Sequence, residues 1–526
     1  MSTTLRLLPC GENAILIEAP DPAAARALFA ALSRHAITGV TGLRPAARTV
    51  FVTYDPAATT RAALDVQLRG LHMSSDAIPR GRDHIIPMRY DGPDLAEVAA
   101  YLALSPAEVI ARHQAATFTV AFCGFAPGFA YLTCDDPVFN LPRRATPRPH
   151  VPAGSVALAG GYGAVYPTQS PGGWQIIGQT DLPMWDADTV PPARLSPGDR
   201  VRFRADDSPP SARPVRPFTP EGRPMLRIDH AWQKMAFADL GRPEGAKDGV
   251  PCAGALDRDA FLSAQDALGN PPDTAALEVT APIRITALSP EVLVLTGAPM
   301  PATLHGADGQ HVLPHGRPFA VDAGDSVTFD APARGRIAYL ARRGGFDLPQ
   351  VLGSASTDTL SGLGPAAAVT GDLLYAGRAA AQAVTFPPEP ASLPRAGEEV
   401  EIPLLPGPRM DWFTDDAITA LTEEVWTMSA DFSRVGLRLD GPALPRKVTG
   451  ELASEAVLPG AIQIPHDGRP MVFLRDAPVT GGYPVIAVVP ESALSRLAQC
   501  PPQTRLRFRL LRPFCAPTIT LAKGSS

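Results

Sequence analysis

Three segments of the chain recur in the same order, which constrains the fold more than any other feature. The matching pairs are residues 154–158 with 460–464, 172–178 with 481–487, and 200–203 with 505–508, at offsets of 306, 309 and 305 residues. A nearly constant offset over three ordered matches indicates a duplicated unit. The repeated segments are short, apolar and bounded by Gly and Pro, and closure into a barrel removes the exposed edges of such strands. We therefore predict two related β-barrels.

The fold class that follows is mixed α+β, mostly β, with several domains, because 526 residues exceed what one hydrophobic core normally holds. A strand-strand-helix pattern that occurs twice near the start predicts a small α+β domain. A segment rich in Pro, Ser and Arg predicts a linker. The predicted divisions are a small α+β domain (1–80), a first barrel (81–204), the linker (205–224), a first β-rich domain of the second unit (225–390) and a second barrel (391–526).

Helix-start signals are clear at three places. Asp21 precedes Pro22 and predicts a helix to residue 35, and Asp257 predicts a helix over 258–268 that ends at Gly269. Ser105 and the Glu three residues later form a capping-box pattern that opens a helix towards His113. The helix dipole would stabilise His113 as a cation near that helix end. His113 is therefore one candidate catalytic residue, although a lone histidine is more often structural.

Composition limits the possible functions. A net charge of −6 without a basic patch argues against nucleic-acid binding, and no apolar run is long enough to cross a membrane. Residues 1–8 lack the features of a signal peptide, so we expect a cytoplasmic protein. The six cysteines form no CxxC pair, which predicts free thiols, and no His or Cys spacing predicts a metal site.

The strongest candidate site lies between residues 122 and 180, where two Gly- and Pro-rich clusters enclose aromatic and hydroxyl side chains. Such loops let the backbone approach a ligand, and the nearby guanidinium groups of Arg143 and Arg148 can bind anions. Pro residues flank Arg148 on both sides and would aim its side chain, so we expect it to matter more than Arg143. The predicted binding residues are Gly124, Pro127, Gly128, Phe129, Tyr131, Gly154, Ser155, Tyr166, Ser170, Gly172, Gly173 and Trp174. The alternative interpretation is that these segments are only turns of the barrel and that Arg143 and Arg148 form surface ion pairs.

These motifs resemble those of a known bacterial enzyme. Residues 1 to about 210 resemble the B subunit of prokaryotic 5-oxoprolinase (allophanate hydrolase subunit 1), through segments 124–132, 143–156 and 166–180. Residues 225–526 resemble the C subunit of the same enzyme, through segments 239–242, 254–257, 460–465 and 480–484. The resemblance implies cyclophilin-like barrels and ATP-dependent opening of 5-oxoproline to glutamate. It also implies ATP as a substrate, with Mg²⁺ as a companion ion, and a separate A subunit of the lactam-utilisation type.

In the second unit the resemblance implies one catalytic residue, Asp476, and a set of binding residues: Arg434, Gln463, Thr480, Gly481, Gly482 and Tyr483. Several positions there depart from the family pattern. Ala238 replaces the usual Gln, Ala355 replaces the usual Arg, and the residue before Arg434 is not the usual acid or amide. These departures favour the first barrel as the principal anion site, with Arg143 and Arg148 as its catalytic cations.

The absence of certain motifs excludes some reactions but does not identify a single one. There is no GxxxxGK[ST] phosphate loop and no Met-Lys-Met biotin site, so no biotin is attached to this chain and a complete urea carboxylase is excluded. Phosphorylating the oxygen of a lactam needs cations and N–H donors, and so does carboxyl transfer. A carboxyltransferase-like component acting on a urea-like amide therefore stays open. A regulatory binding protein of the kinase-inhibitor type is a further alternative. A homo-oligomer is compatible with each of these functions.

Overall fold

The structure is a computed structural model that describes residues 2–73, 81–206, 208, 218–386, 392–450 and 452–522. It is mostly β, with 35% strand and 16% helix. Residues 207 and 209–217 of the predicted linker lie outside the described residues. On either side of them, one strand ends at Ala205 and the next begins at Pro224. No helix in the described ranges has the length and apolar character to cross a membrane.

The N-terminal domain places two helices against an antiparallel sheet. Its elements are β1 (Ser2–Pro9), β2 (Ala14–Glu18), α1 (Pro22–Arg34), β3 (Val40–Pro45), β4 (Thr49–Tyr54) and α2 (Arg61–Arg69). The predicted start of the first helix is confirmed, since the Asp21 carboxylate accepts a hydrogen bond from the Ala24 N–H at 2.7 Å. Alternate strand residues such as Leu5, Ile15 and Val50 are fully buried beneath the helices.

The first barrel follows. Its elements are β5 (Asp83–Met88), α3 (Leu95–Tyr101), α4 (Pro106–Ala115), β6 (Phe118–Cys123), β7 (Ala130–Thr133), β8 (Arg148–Val151), β9 (Ser155–Ala159), β10 (Tyr162–Val165), β11 (Ser170–Gly172), β12 (Gln175–Gln179) and β13 (Arg200–Ala205). Seven strands pair in the order β12-β9-β10-β7-β6-β13-β5, and a bridge between Arg89 and Gln179 joins the two ends. β8 and β11 form a separate ribbon.

The second unit opens with two packed sheets. Its elements are β14 (Pro224–Ala231), β15 (Ala236–Ala238), α5 (Arg258–Leu268), β16 (Ala276–Val279), β17 (Ile283–Ala287), β18 (Glu291–Gly297), β19 (Ala302–Gly306), β20 (Gly309–Leu313), β21 (Phe319–Val321), β22 (Ser326–Phe329), β23 (Ala338–Arg342) and β24 (Leu373–Tyr375). The sheets are β20-β19-β22-β17-β14-β24 and β15-β16-β23-β18-β21. The predicted bounds of α5 and its Gly269 cap are confirmed.

The second barrel is a closed sheet with two helices. Its elements are β25 (Glu399–Pro406), α6 (Asp415–Glu423), β26 (Val425–Phe432), β27 (Gly436–Asp440), β28 (Glu455–Ala456), β29 (Ala461–Gln463), β30 (Met471–Phe473), β31 (Thr480–Gly481), β32 (Val485–Val488), α7 (Glu491–Ala498) and β33 (Arg505–Leu510), followed by β34 (Thr518–Ala522). The strand order around the barrel is β25-β32-β29-β30-β27-β26-β33.

The two barrels share one topology. Starting from β5 in the first and β25 in the second, the neighbours follow each other in corresponding order, and each barrel contains one parallel pair, β5 with β13 and β25 with β33. The three matching sequence segments fall on β9 and β29, β12 and β32, and β13 and β33. The predicted duplication of the barrel is therefore confirmed.

The last strand returns to the beginning of the chain. β34 pairs antiparallel with β1, with Thr4 opposite Thr520, and gives the N-terminal sheet the order β3-β4-β2-β1-β34. The sequence predicts residues 391–526 as one domain, whereas residues 518–522 complete the sheet of the first domain. No local pattern indicates such a pairing, because it joins segments from the two ends of the chain.

Candidate functional site

Four of the predicted aromatic residues come together at one end of the first barrel. The ring of Phe129 lies 5.3 Å from that of Tyr166 and 5.7 Å from that of Trp174, and Tyr131 also lies 5.7 Å from Trp174. The rings meet mainly edge to face, which is the favourable geometry for aromatic side chains. We call Phe129, Tyr131, Tyr166 and Trp174 the aromatic cluster; all four are buried.

Two glycines allow the backbone to pass close to this cluster. A Cβ atom at Gly172 would overlap the hydroxyl of Tyr166, and one at Gly124 would overlap the Thr480 side chain. Any larger residue would displace one of these hydroxyl-bearing side chains. Glycine is therefore needed at these two positions because the backbone lies close to the side chains of Tyr166 and Thr480. Close approach of the backbone is one of the roles predicted for these glycines.

The loop that carries Gly124 joins the two halves of the chain. The Phe125 N–H donates to Thr480 Oγ1 at 3.0 Å, and the Gly128 N–H donates to the Asp248 carbonyl oxygen at 3.2 Å. Phe125 has a φ of 66°, a conformation that favours glycine and costs a larger residue on the order of 1–2 kcal/mol. The hydrogen bond to Thr480 helps to hold it there. The candidate site therefore lies where the first barrel meets the second unit.

The two phenols of the cluster are hydrogen-bond donors at neutral pH. Burial raises the pKa of Tyr131 to about 12, although the hydroxyls of Ser454 and Thr480 and the charge of Arg143 act to lower it. Burial likewise raises the pKa of Tyr166 to about 12. Both side chains are therefore protonated near pH 7, suited to donating to an anionic or carbonyl oxygen rather than to acting as bases.

Arg148 is engaged by an internal carboxylate. Its guanidinium donates to both oxygens of the buried Asp94, at 2.9 and 2.6 Å, and Arg144 donates to the same carboxylate at 2.7 Å. Asp94 Oδ2 also accepts from the Ile176 N–H at 2.7 Å. This cluster ties α3 to β8 and β12. The flanking prolines aim Arg148 as expected, but they aim it at Asp94.

Arg143 is the available cation. Its side chain is exposed and makes no hydrogen bond or ion pair within the residues that the structure describes. Its charge nevertheless acts on the phenols of both Tyr131 and Tyr166. The expectation that Arg148 matters more than Arg143 for a ligand is thus not supported by this geometry, because Arg148 is already neutralised.

The remaining first-barrel residues shape the cluster through their backbones. The Gly154 N–H donates to the Tyr166 carbonyl at 2.7 Å, the Tyr166 N–H donates to the Ser155 carbonyl at 2.9 Å, and the Arg144 N–H donates to the Gly173 carbonyl at 2.8 Å. Ser170 pairs with Val151, and its buried hydroxyl has no partner among the described residues. Pro127 lies in the loop beside Gly128.

In the second unit the structure divides the predicted site residues into two groups. Gln463 donates to the Tyr483 carbonyl at 3.1 Å, and the Gly481 backbone lies close to the Gln463 amide. Thr480 and Gly481 pair with Ala456 and Glu455, and Gly482 lies in the bend that follows. Within this first group, Thr480 is the side chain that reaches the first barrel.

The second group is a buried ion-pair network. Arg434 donates to both Asp476 oxygens at 3.1 Å and also to Glu278, and Thr359 donates to Asp476 through its N–H and hydroxyl at 2.8 and 2.7 Å. Asp476 is fully buried. Its predicted catalytic role would need access to substrate, whereas its oxygens are occupied by these donors. These bonds hold the loop that leads to Thr480 against the first domain of the second unit.

His113 lies among the rings of Phe118, Phe139 and Phe203, outside the aromatic cluster, and its Nδ1 is 2.8 Å from the Tyr90 hydroxyl. Burial lowers the pKa of His113 to about 3. The expectation of a dipole-stabilised cation is wrong, because the cost of desolvating a charged imidazole exceeds the favourable dipole energy.

This neutral histidine predicts a pH dependence of stability. Its folded-state pKa lies below its unfolded value of about 6.5, so the stability it contributes is present above pH 6.5 and is lost as the pH falls towards 3, by about 1.4 kcal/mol per pH unit. Between pH 7.5 and 5.5 the thermal midpoint of the wild-type chain should therefore fall more than that of His113→Phe. Parallel midpoints would contradict the burial of a neutral imidazole.

Sequence reasoning missed Asp94, Ser454 and Asp248, three residues that hold the site together. The contacts of Ser454 and Asp248 join distant parts of the chain, so no local motif marks them. Among the described residues, no group of three or more His, Cys, Asp or Glu side chains is placed to hold a metal ion. All six cysteines are free, as predicted.

Comparison with known proteins agrees with this two-part architecture. Residues 5–195 match the family model described as carboxyltransferase domain, subdomain C and D, and residues 248–510 match that for subdomain A and B. The C subunit of 5-oxoprolinase from Escherichia coli (strain K12) is 34% identical over 281 residues, covering 53% of this chain and 88% of that protein. The chain belongs to this carboxyltransferase-domain family.

Some relatives match one half of the chain, and others match nearly all of it. The B subunit of 5-oxoprolinase from Escherichia coli O157:H7 is 47% identical over 128 residues, which are 24% of this chain and 59% of that protein. The crystal structure of TTHA0988 is 33% identical, covers 94% of this chain and 99% of its own, and has a TM-score of 0.81. The fused arrangement of B-like and C-like parts predicted from the motifs is confirmed.

Proposed function

We propose that the chain is the fused B and C component of an ATP-dependent 5-oxoprolinase, which activates the lactam of 5-oxo-L-proline so that L-glutamate, ADP and phosphate are formed with a separate A subunit. The similarity of its two halves to proteins named as the B and C subunits of 5-oxoprolinase supports this proposal. Relatives named as subunits also favour an enzyme of several chains.

The observation that carries the proposal is the position of Arg143 beside two protonated phenols at the junction of the halves. A lactam carbonyl is stabilised by resonance, and phosphorylating its oxygen would weaken the ring amide bond. That step develops negative charge, which a free guanidinium and O–H donors from Tyr131, Tyr166 and Thr480 would stabilise. Arg148 would support the site by fixing β8 against Asp94.

The same cluster favours a partner for the hydrolytic step. The polar groups in and beside the aromatic cluster are two phenols, the Thr480 hydroxyl and the Arg143 guanidinium. None of these is a good general base near pH 7. We therefore propose that the base that activates water comes from the separate A subunit. Fusion of the B-like and C-like parts would keep Thr480 against Phe125 without requiring two chains to associate.

The direct test of the site is the Arg143→Ala variant. Removing a charge-assisted hydrogen bond to phosphate or carboxylate typically costs about 1.5–3 kcal/mol, so calorimetric affinity for 5-oxoproline or nucleotide should fall roughly ten- to hundredfold. Arg69→Ala is the matched control, because Arg69 is exposed and lies on α2 of another domain. Unchanged affinity for every ligand in Arg143→Ala would place the site elsewhere.

A second candidate is carboxyl transfer, which the description of both matched family models favours. Carboxyl transfer to a urea-like amide would use the same donors to stabilise an oxyanion. The two reactions differ in what they consume. Carboxylation that depends on a carboxylated biotin carrier, without nucleotide hydrolysis by the reconstituted protein, would favour this candidate over the 5-oxoprolinase.

A further inference from the structure

A cavity lies between the N-terminal domain and the second unit, apart from the aromatic cluster. It has a volume of about 870 Å³, within the range of small-molecule sites. Residues 10–14, 41–44, 51, 53 and 54 line it from the first domain. From the second unit it is lined by residues 243, 244, 246, 247, 250, 252, 258, 457–459, 475, 477–479 and 488–491, and no residue of the aromatic cluster lines it.

Four cations face three acids around this cavity. The cations are Arg44, Lys247, Arg258 and Arg475, and the acids are Glu12, Glu244 and Glu491. Two of the acids already have donors. Glu491 accepts from Arg475 at 3.0 Å and from Arg258 at 3.2 Å, and Glu12 accepts from the Glu491 N–H at 3.0 Å.

Arg44 is the cation that most clearly lacks a counter-charge. Its guanidinium lies 4.2 Å from the centre of the Phe51 ring and donates to the Val457 carbonyl at 3.3 Å. Its sulfur neighbours, Cys10 and Cys252, are thiols, and Arg44 makes no ion pair with any acid that the structure describes. Burial lowers the pKa of Arg44 to about 10, which reflects the cost of holding a partly desolvated cation without an anion.

Lys247 adds a second unpaired cation to the same space. Its ammonium group is exposed, lines the cavity and has no ion pair within the described ranges. Arg258 and Arg475 are both paired with Glu491. Arg44 and Lys247 are therefore left without a counter-charge at this cavity, which favours an anionic ligand.

We propose that this interdomain cavity binds a phosphate-bearing small molecule. Phosphate offers three strong acceptor oxygens and up to two negative charges, and it therefore satisfies more of these donors than a carboxylate does. Guanidinium groups match its geometry, and the Phe51 ring beneath Arg44 holds that cation in place. The inference does not rest on the proposed function, because it uses no residue of the aromatic cluster.

The test is calorimetric titration of the full chain with inorganic phosphate and, separately, with ADP. Lys247→Gln should weaken binding about tenfold or more, and Arg44→Gln should do the same. Lys234→Gln is the matched control, since Lys234 is exposed and lies outside the cavity. Tighter binding of ADP than of phosphate would identify a nucleotide-sized ligand, and equal binding would identify phosphate alone; either supports the proposal.

Two results would overturn it. One is the absence of phosphate and ADP binding at millimolar concentration. The other is affinity for phosphate and ADP that is unchanged in Lys247→Gln, whatever the effect of Arg143→Ala, because the ligand would then bind outside this cavity. Lys247 is exposed on a short 3-10 helix (Pro243–Asp248), so its replacement keeps the test valid even if Arg44→Gln fails to fold.

Discussion

Replacing Arg409 with Met should destabilise the folded chain by about 3–5 kcal/mol, because it would leave the buried carboxylate of Glu455 without its ion-pair partner, whereas Glu18 keeps its pair with Arg6. Arg409 is 2% exposed. Its Nη2 lies 2.9 Å from Glu18 of β2, and its Nε donates to Glu455 of β28 at 3.0 Å. The substitution would therefore also loosen the N-terminal sheet from the second barrel.

Thermal and urea unfolding would measure this effect. Arg438→Met is the matched control, because Arg438 forms an exposed pair with Asp467 at 3.5 Å, of a kind worth about 0–1 kcal/mol. Neutralising the stranded acid, as Glu455→Gln in the Arg409→Met background, should recover part of the loss. A change of less than about 1 kcal/mol in Arg409→Met would contradict the buried network.

The second large effect is expected from Arg434→Met. Arg434 connects Glu278 of the first domain in the second unit with Asp476 of the barrel, and it also donates to the Gly254 carbonyl. Its loss should cost about 3–5 kcal/mol, again because buried carboxylates lose their counter-charge. Since Asp476 lies in the loop between β30 and β31, and β31 begins at Thr480, ligand affinity at the aromatic cluster should fall as well.

A comparison with Asp476→Asn separates stability from positioning. If Arg434 acts through Asp476, the two single variants should weaken ligand binding by similar factors, and the double variant should add little. Arg469→Met, which removes an exposed pair with Asp440 at 3.8 Å, is the control. A destabilised Arg434→Met protein whose ligand affinity equals that of wild type would confine this network to a structural role.

The sequence predicted those features that depend on local patterns. Repeated segments located both barrels, and side chains such as Asp21, Ser105 and Asp257 located helix starts, because capping acts over three residues. Gly and Pro likewise marked the loops that assemble the aromatic cluster. The helix caps and the Gly- and Pro-rich loops can be identified from the sequence because each involves only a few neighbouring residues.

The features that were missed depend on contacts between distant segments. The bond from Phe125 to Thr480 spans 355 positions, and the pairing of β34 with β1 joins the two ends of the chain. The prolines beside Arg148 correctly indicated a fixed side chain, yet its partner Asp94 lies 54 residues earlier. The charge left for a ligand is therefore on Arg143, which no local restraint distinguishes.

The most direct measurement is ATP-dependent conversion of 5-oxoproline to glutamate by the purified chain, with and without a purified A-type partner of the lactam-utilisation type. We expect turnover only when both proteins are present, and a large loss in Arg143→Ala but not in Arg69→Ala. Full-rate conversion by the isolated 526-residue chain would contradict the need for a partner. No turnover with the partner, together with tight binding to a sensor kinase, would contradict the enzymatic role.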